Sequence, residues 1–417
     1  MEYIQYYFHQ QLIKPNMKLK TVLNGLFILI VAVGCTYDRR AKEELPCVDV
    51  RKDYPEKEIS LTDFADVTYI HLNTENDDYL YSIHPFFANI AVTKNTIVIF
   101  DNSSCSILFF SKDGTPKSRF KRLGQGPEEY FKVTRMLYDE ETDDVFVCDE
   151  DVDYIQVYSS TGDYKRKIRF PRKIATEALT SFDSHSLIGY SQRFPNMPLS
   201  FLENYKGEIH YYTTFYRIDK MTASVLDSFN LKSADNFALV YEFTKGALLI
   251  KINNRLVTCS DGFLLCNPET DTVYRYKKDK SLTPIFRKSP SVRNMEPMVL
   301  INNLVETDRY YFFSTCTLLR KRDPNYAEKY YVHDKETGEV FLQKITIPDY
   351  KGKFFNIEAS FIKKQNFYDG NGYFYELDLI ELKEAYREER LGGKLKELVA
   401  TLDEMKDNNV LMLVHFK

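Results

Sequence analysis

The sequence of 417 residues predicts an all-β fold, a six-bladed β-propeller, because it repeats a three-strand unit. Residues 97–101 (IVIFD) match residues 145–149 (VFVCD), and residues 107–114 (ILFFSKDG) match residues 155–162 (IQVYSSTG), with a constant offset of 48 residues. Each unit runs strand, acidic turn, strand, glycine turn, strand, and units of about 40–50 residues are typical of propeller blades. The aromatic content, 31 Tyr and 30 Phe without Trp, also favours strands.

Weaker copies of this unit predict how many blades the ring holds. Residues 216–222 and 331–338 both resemble a third strand and its turn, and residues 256–266 followed by 272–276 form another unit. About 350 residues divided by a repeat of about 48, with allowance for long loops, give six or seven blades, of which we adopt six.

The two ends of this region predict how the ring closes. Residues 67–72 (VTYIHL) form a strong initial strand, and residues 410–416 (VLMLVHF) form a strong terminal one. We expect the last strand to pair within the first blade, because closure removes the open sheet edges that promote aggregation.

A helical segment over residues 377–406 precedes the closing strand. Its apolar residues recur at helical spacing on one face: Leu395, Leu398, Val399, Leu402 and Met405. Gly392 and Gly393 are expected to split the segment into two helices. We interpret it as a pair packed on the outside or end of the propeller, and the alternative is a helix that binds a partner.

Residues 17–35 have the pattern of a lipoprotein export signal. Two lysines precede a short apolar run, and a Gly-Cys junction ends it, which predicts cleavage and lipidation at Cys35. The alternatives are a signal anchor or a soluble signal peptide with a chance cysteine. Ala32 departs from the Leu that is usual three residues before the lipidated cysteine. We expect translation to start at Met17 and residues 1–34 to be removed.

The composition of the rest of the chain predicts a tether, excludes one class of partner and indicates the state of the cysteines. Residues 35–58 are polar and charged and predict a tether, so the propeller domain is expected over 59–417. The formal net charge of −4, with mixed signs, argues against nucleic acid, which needs a concentrated basic face. The cysteines form no CxxC pair, and those within apolar runs are expected to be buried free thiols: Cys148, Cys259 and Cys266.

Two stretches carry a family resemblance, residues 61–74 (LTDFADVTYIHLNT) and residues 124–130 (GQGPEEY). On these residues the chain resembles the six-bladed β-propeller lipoproteins of Gram-negative gut bacteria, distant relatives of NHL-repeat propellers. His71 and Asn73 stand where that family usually has Pro and Glu. The resemblance covers about residues 59–417 and implies a fold and an envelope location, but no catalytic residues.

The 124–130 loop follows the last strand of its unit, so it is expected to cross to the next blade. Such crossings share a face of the propeller with the turns between second and third strands. Gln125, Glu128, Glu129 and Asp101 are therefore expected to line one rim as a candidate binding surface. The alternative is a plain blade-to-blade turn with its glycines at positive φ.

Asp149, Asp151 and Asp153 are the candidate metal ligands, because alternating carboxylates in a turn can converge on Ca²⁺. Tyr154 occupies the position where an EF-hand loop needs Gly, and Ser160 occupies the position of its bidentate Glu. The alternative interpretation is a solvated acidic turn.

The sequence contains no GxSxG, HExxH or P-loop motif, and its seven histidines are scattered. The acidic run over 139–144 is expected to be an exposed turn. We therefore predict a monomeric binding or scaffold module on a bacterial envelope membrane, without assigned catalytic residues, whose partner is an envelope protein or an exported polymer. The alternative is a propeller enzyme of the lactonase or lyase type, with Ca²⁺ or an acidic cluster at the central channel.

Overall fold

The computed structural model describes fourteen stretches of the chain, all within one compact unit, Leu45–Lys417. These stretches are residues 45–75, 77–82, 88–131, 133–149, 154–169, 178–193, 212–231, 240–243, 246–249, 256–267, 270–318, 328–357, 363–367 and 370–417.

Strands dominate the described residues. In chain order they are β1 (Cys47–Asp49), β2 (Glu56–Ser60), β3 (Ala65–His71), β4 (Ala88–Val92), β5 (Thr96–Asp101), β6 (Ser106–Ser111), β7 (Pro116–Phe120), β8 (Val133–Asp139), β9 (Asp144–Asp149), β10 (Tyr154–Tyr158), β11 (Tyr164–Arg169), β12 (Ala178–Ser181), β13 (Ser186–Arg193), β14 (Tyr212–Asp219), β15 (Val225–Asn230), β16 (Val240–Phe243), β17 (Gly246–Leu249), β18 (Leu256–Cys259), β19 (Gly262–Leu265), β20 (Thr272–Lys277), β21 (Leu282–Ser289), β22 (Met298–Glu306), β23 (Tyr310–Leu318), β24 (Glu328–Asp334), β25 (Val340–Thr346), β26 (Lys363–Phe367), β27 (Gly372–Leu377) and β28 (Val410–Phe416). The α-helices are α1 (Leu61–Phe64), α2 (Leu379–Arg387) and α3 (Gly393–Thr401), and Val292–Asn294 form a 3-10 turn.

These strands form the six blades of a β-propeller, which confirms the predicted fold. Blades 1 to 5 are antiparallel four-stranded units made of β4–β7, β8–β11, β12–β15, β18–β21 and β22–β25. Blade 6 combines β27, β28 and β3, while β26 pairs in parallel with β4 and the β16–β17 hairpin lies between blades 3 and 4 along the chain. The two clear repeats, which begin at residues 97 and 145, each supply the second to fourth strands of a blade, whereas the unit over 256–276 supplies the first to third strands of blade 4.

Burial explains why the middle strands gave the clearest sequence signal. Every residue of β5 is buried, whereas β7, the fourth strand of the same blade, alternates and ends in a buried residue. Neighbouring blades cover both faces of a middle strand, so its apolar residues run continuously. Between blades 2 and 3, for example, Phe146 and Val157 share a core cluster with Leu187 and Tyr216.

The ring closes as predicted, by antiparallel pairing of the last strand with an early one. β28 pairs with β3 from Val410 opposite His71 to Phe416 opposite Ala65. Asn408, only 2 % exposed, completes the closure. Its amide nitrogen donates to the carbonyls of Leu72 and Tyr79 at 2.9 and 3.0 Å, and its side-chain oxygen accepts from the Tyr81 amide at 3.0 Å.

The helical segment divides in two, as its glycines predicted. Asp378 caps α2 by accepting a hydrogen bond from the Glu381 amide at 3.0 Å, and α3 begins at Gly393. The apolar face predicted for α3 is buried at Leu395 and Val399, whereas Met405, beyond the helix end, is 83 % exposed. Among the helices that the structure describes, none is both long and apolar enough to cross a membrane.

The end of the predicted tether differs from the structure. Residues 47–60 contribute β1 and β2, which pair in parallel with β21 and β25, the fourth strands of blades 4 and 5. Val48 is 1 % exposed in this position. Neither strand could be predicted from the sequence, because both are short and polar (CVD and EKEIS) and are stabilised by main-chain pairing with a distant part of the chain.

Candidate functional site

Turns at opposite ends of the blade strands form two rims. The crossing rim contains the turn between the second and third strands of blade 1, the connection to blade 2 and the adjoining end of β9, that is, residues 101–106, 121–131 and 149. The inner-turn rim contains the turns between first and second strands in blades 1 to 5, that is, residues 93–96, 139–144, 181–186, 259–262 and 306–310. It also contains the turns between third and fourth strands in blades 3 and 4, residues 219–225 and 277–282.

The crossing rim confirms the position predicted for the 124–130 loop, between the fourth strand of blade 1 and the first strand of blade 2. The Tyr130 hydroxyl donates to the Cys105 carbonyl at 2.8 Å, which joins the loop to the neighbouring turn. The Phe131 amide donates to Asp149 Oδ2 at 2.9 Å, so Asp149 lies against the same loop.

Asp101 is on this rim, but it is 1 % exposed and serves its own turn. Its carboxylate accepts hydrogen bonds from the amides of Ser82, Ser103 and Ser104 at 2.9 to 3.0 Å, and from the Ser103 hydroxyl. Burial opposes ionisation, but hydrogen bonds from Ser104, Ser82 and Ser103 outweigh it and hold the pKa of Asp101 below its ordinary value. The Asp101 side chain therefore stabilises its own turn.

Glu129 folds back over the glycines of its own loop. Its Oε2 accepts a hydrogen bond from the Gly126 amide at 2.8 Å, and a Cβ added at Gly124 would overlap the carboxylate. The expectation of positive φ is wrong, since neither glycine is among the residues with positive φ. Glycine is needed here because the carboxylate approaches the backbone closely.

Gln125 and Glu128 are the exposed members of the predicted rim set. Glu128 also anchors the loop through its main chain, because its carbonyl accepts from the Tyr158 hydroxyl at 3.0 Å. Gln156, 1 % exposed, donates to the Glu129 carbonyl at 2.9 Å. The main chain of the loop is thus held by blade 2, and binding by the Gln125 and Glu128 side chains stays a prediction.

The predicted metal ligands and lipidation site fall mostly outside the described residues: Asp151, Asp153 and Cys35. Within the described ranges, no group of three or more His, Cys, Asp or Glu side chains has the proximity needed to hold a metal ion. No disulfide joins the six described cysteines, and Cys148, Cys259 and Cys266 are buried as expected.

The inner-turn rim contains a cavity of about 710 Å³. It is bounded by turns from blades 1 to 4, and its lining mixes hydroxyl, amide, carboxylate and ammonium groups with the edges of Tyr138 and Phe182. This volume lies within the range of about 300–1,000 Å³ that small-molecule sites occupy. None of the residues predicted from sequence as site residues lines it.

A buried ion pair joins blades 2 and 3 beside this cavity. Lys220, 3 % exposed, lies with its Nζ 2.5 Å from Oδ2 of Asp139, which is 9 % exposed. The same ammonium donates to the Ser181 hydroxyl at 2.9 Å and to the Asp183 carbonyl at 2.6 Å, so each of its three protons has an acceptor.

The prediction of an exposed turn over 139–144 is wrong at both ends of the turn. Asp139 is buried in this ion pair, and Asp144 is also buried, at 5 % exposure.

Lys278 makes the corresponding connection between blades 3 and 4. Its ammonium donates to the Phe182 carbonyl and lies 5.2 and 5.3 Å from the ring centroids of Phe182 and Phe263. Burial lowers the pKa of Lys278, and the charge of Asp183 partly opposes that effect. Lys278 is exposed and is one of the residues that line the cavity, with its ammonium held by a carbonyl and placed over two aromatic rings.

These contacts belong to a series that links four consecutive blade pairs at the inner-turn rim. Blades 1 and 2 are joined by the Thr96 hydroxyl, which donates to Glu140 at 2.6 Å, and blades 4 and 5 by Arg275 and Glu306. With the Lys220 and Lys278 contacts, these links join residues separated by 31 to 96 positions. We call the four contacts the inter-blade links.

A weak sequence signal for one link was present in the turn repeats. The two segments that resembled third strands both read Asp-Lys-x-Thr at the following turn, at residues 219–222 and 334–337. The lysine has the same kind of partner in both, because Lys335 pairs with Glu306 at 2.9 Å as Lys220 pairs with Asp139. The partners themselves carry no such signal, since Asp139 lies one blade before Lys220, whereas Glu306 lies in the same blade as Lys335.

Two solved structures similar to this chain come from Bacteroides species. A candidate exported protein from Bacteroides fragilis is 16 % identical, with a TM-score of 0.54 over 89 % of this chain and 99 % of that one. A member of the DUF4221 family from Bacteroides vulgatus is 12 % identical, with a TM-score of 0.45 over 85 % of this chain and 97 % of that one. No curated protein matches the chain in sequence.

The family comparison covers almost the entire described unit. A family model described as a domain of unknown function, DUF4934, matches residues 45–415, from just before β1 to the closing strand. The chain therefore belongs to the DUF4934 family.

Proposed function

We propose that this protein is an exported, lipid-anchored propeller that binds an envelope protein or an exported polymer through the cavity of its inner-turn rim. The signal pattern over 17–35 supports export and anchoring at Cys35. The Bacteroides fragilis protein of similar fold, itself a candidate exported protein, agrees with that location.

The cavity is the observation that carries the binding function. Four blades contribute its walls, and the Lys220–Asp139 ion pair that lines it is already in place before any ligand arrives. Such preorganisation lowers the cost of ordering side chains on binding. On the crossing rim, by contrast, two of the four predicted residues are occupied by their own loop.

Purification of the tagged protein from its native envelope, with mass spectrometry of bound material, tests this proposal. Lys94, exposed at the cavity, and Lys121, exposed at the crossing rim, offer a matched pair of charge reversals. We expect Lys94→Glu to reduce recovery of the partner by about tenfold, as a loss of about 1.4 kcal/mol implies. Lys121→Glu should leave recovery unchanged.

Two results would contradict the proposal. Recovery of the protein without any stoichiometric partner or polymer would remove the binding function, and equal effects of the two reversals would remove the cavity as its site. Anchoring is tested separately, because Cys35→Ser should move the protein from the membrane fraction to the soluble fraction.

A further inference from the structure

The fourth strands of blades 4 and 5 are not sheet edges, because the N-terminal segment covers them. β1 pairs in parallel with β21 in the register Cys47 opposite Arg287 to Asp49 opposite Ser289. The Arg287 amide donates to the Pro46 carbonyl at 2.8 Å, and the Val50 amide donates to the Ser289 carbonyl at 2.9 Å. The outer edge of a blade in this protein therefore accepts an extended chain in parallel.

The fourth strands of blades 1 to 3 have no such partner within the described part of the chain. Two of them, β7 and β11, are basic, with the sequences PKSRF and YKRKIR. Each contains a bulge at a lysine, Lys117 or Lys165, that is skipped in the pairing with the third strand. Charged residues and bulges on an edge strand disfavour the addition of another strand.

The fourth strand of blade 3, β15, also has a bulge and contains Asp227, but no lysine stands at its bulge. Its sequence is VLDSFN, and its bulge falls at Leu226, which is 47 % exposed beside Val225 at 41 %. The equivalent bulge of the covered strand β21 falls at Ile285, which packs against the core cluster that contains Val48. β15 therefore resembles the covered strand β21 in having an apolar residue at its bulge. In β15, however, that residue is exposed to solvent.

We propose that β15 is a docking edge for an extended peptide of a partner protein, which adds to blade 3 as a fifth strand in parallel. Alignment of the two bulges places the peptide beside Ser228 to Asn230, where β21 receives β1. The middle residue of the peptide, equivalent to Val48, faces the position of Phe229, so the partner needs an apolar residue there. Strand addition of this kind takes affinity from main-chain hydrogen bonds and specificity from alternate side chains. The proposal is independent of the cavity.

Hydrogen exchange of the mature protein with a strand-mimic peptide tests the inference. The probe is a capped peptide of residues 46–51 carrying Cys47→Ser, added at about 1 mM. We expect amide exchange over residues 225–230 to slow at least about threefold, since pairing protects edge amides. Leu226→Lys, which reproduces the bulge of β7 and β11, should remove the protection, whereas Met221→Lys, at a 63 % exposed position of the adjoining turn, should retain it.

A second peptide keeps the test decisive if Leu226→Lys does not fold. The same probe with Val48→Asp should give no protection of the wild-type protein. The proposal is overturned if neither peptide alters exchange over 225–230, if both peptides act equally, or if the slowing is confined to 282–289. The last result would mean that the probe only exchanges with β1.

Discussion

The crossing rim and the inner-turn rim use polar side chains over different sequence distances. On the crossing rim, the contacts of the 124–130 loop join residues 3 to 30 positions apart, as in Glu129 with the Gly126 amide and Tyr158 with the Glu128 carbonyl. On the inner-turn rim, the inter-blade links reach up to 96 positions and cross from blade to blade. The 124–130 motif, which is visible in the sequence, thus forms one connection between blades. The wall of the cavity is formed by residues that belong to no sequence motif.

The comparison also separates two uses of buried charge. The Asp101 carboxylate is stabilised locally, by hydrogen bonds from the amides and hydroxyls of one turn, and its loss would affect that turn. Asp139 is neutralised by an ammonium from the next blade, so its environment exists only after blades 2 and 3 have packed. Substitutions on the inner-turn rim should therefore affect the packing of one blade on the next, whereas substitutions on the crossing rim should affect a single connection.

Lys220→Ala should produce the largest effect, because it leaves Asp139 buried without its cation. We expect the free energy of unfolding to fall by about 3–5 kcal/mol, the cost of an uncompensated buried charge. Urea denaturation followed by circular dichroism measures it, and Lys121→Ala, an exposed lysine of the crossing rim, is the control. A loss below about 1 kcal/mol would mean that the link does not hold the blades together.

Gly124→Ala should rank second, since its methyl group would displace the Glu129 carboxylate from the Gly126 amide. We expect a loss of about 1–2 kcal/mol, the scale of one charge-assisted hydrogen bond. Glu129→Ala should cost a similar amount, and the double variant should cost less than the sum of the two. Strict additivity in that double-mutant cycle would show that the glycine is not needed to accommodate the carboxylate.

Acid should weaken both rims, in a window that follows from their carboxylates. Burial opposes ionisation of Asp144, yet hydrogen bonds from Arg166 and Lys165 outweigh it and lower its pKa, as serine donors do for Asp101. Because the folded pKa lies below the unfolded value of about 3.9, this stability is present above pH 4 and is lost as pH falls through the folded pKa.

Chemical denaturation between about pH 5 and pH 2.5 measures this loss. We expect Asp101→Asn and Asp144→Asn each to make the decline in the free energy of unfolding shallower than in the wild type. Parallel curves for the wild type and both variants would contradict the assignment of depressed pKa values to these two carboxylates.

Gln125→Ala and Glu128→Ala should have the smallest effect on stability, within about 0.5 kcal/mol, because both side chains are exposed. Thermal unfolding measures this directly. The same variants test the predicted binding surface, since loss of a partner without loss of stability would return the binding function to the crossing rim.

The sequence by itself determined the architecture of this protein. The 48-residue repeat, the closing strand over 410–416 and the helix break at Gly392 were all confirmed, because each depends on the alternation of side chains or on turn residues within a short window. The 124–130 loop was placed correctly for the same reason. Its glycines were misinterpreted, since the close approach of Glu129 is a contact in space.

Only the tertiary structure decided where the candidate site lies. The partners of Lys220 and Lys278 are 81 and 96 residues away, and β2 finds its place beside β25, whose residues are almost 290 positions later. Neither a short polar strand nor an isolated Asp-Lys turn has a periodicity that predicts its partner. Ring closure brings these residues together, and packing between blades buries the Lys220–Asp139 ion pair that lines the cavity.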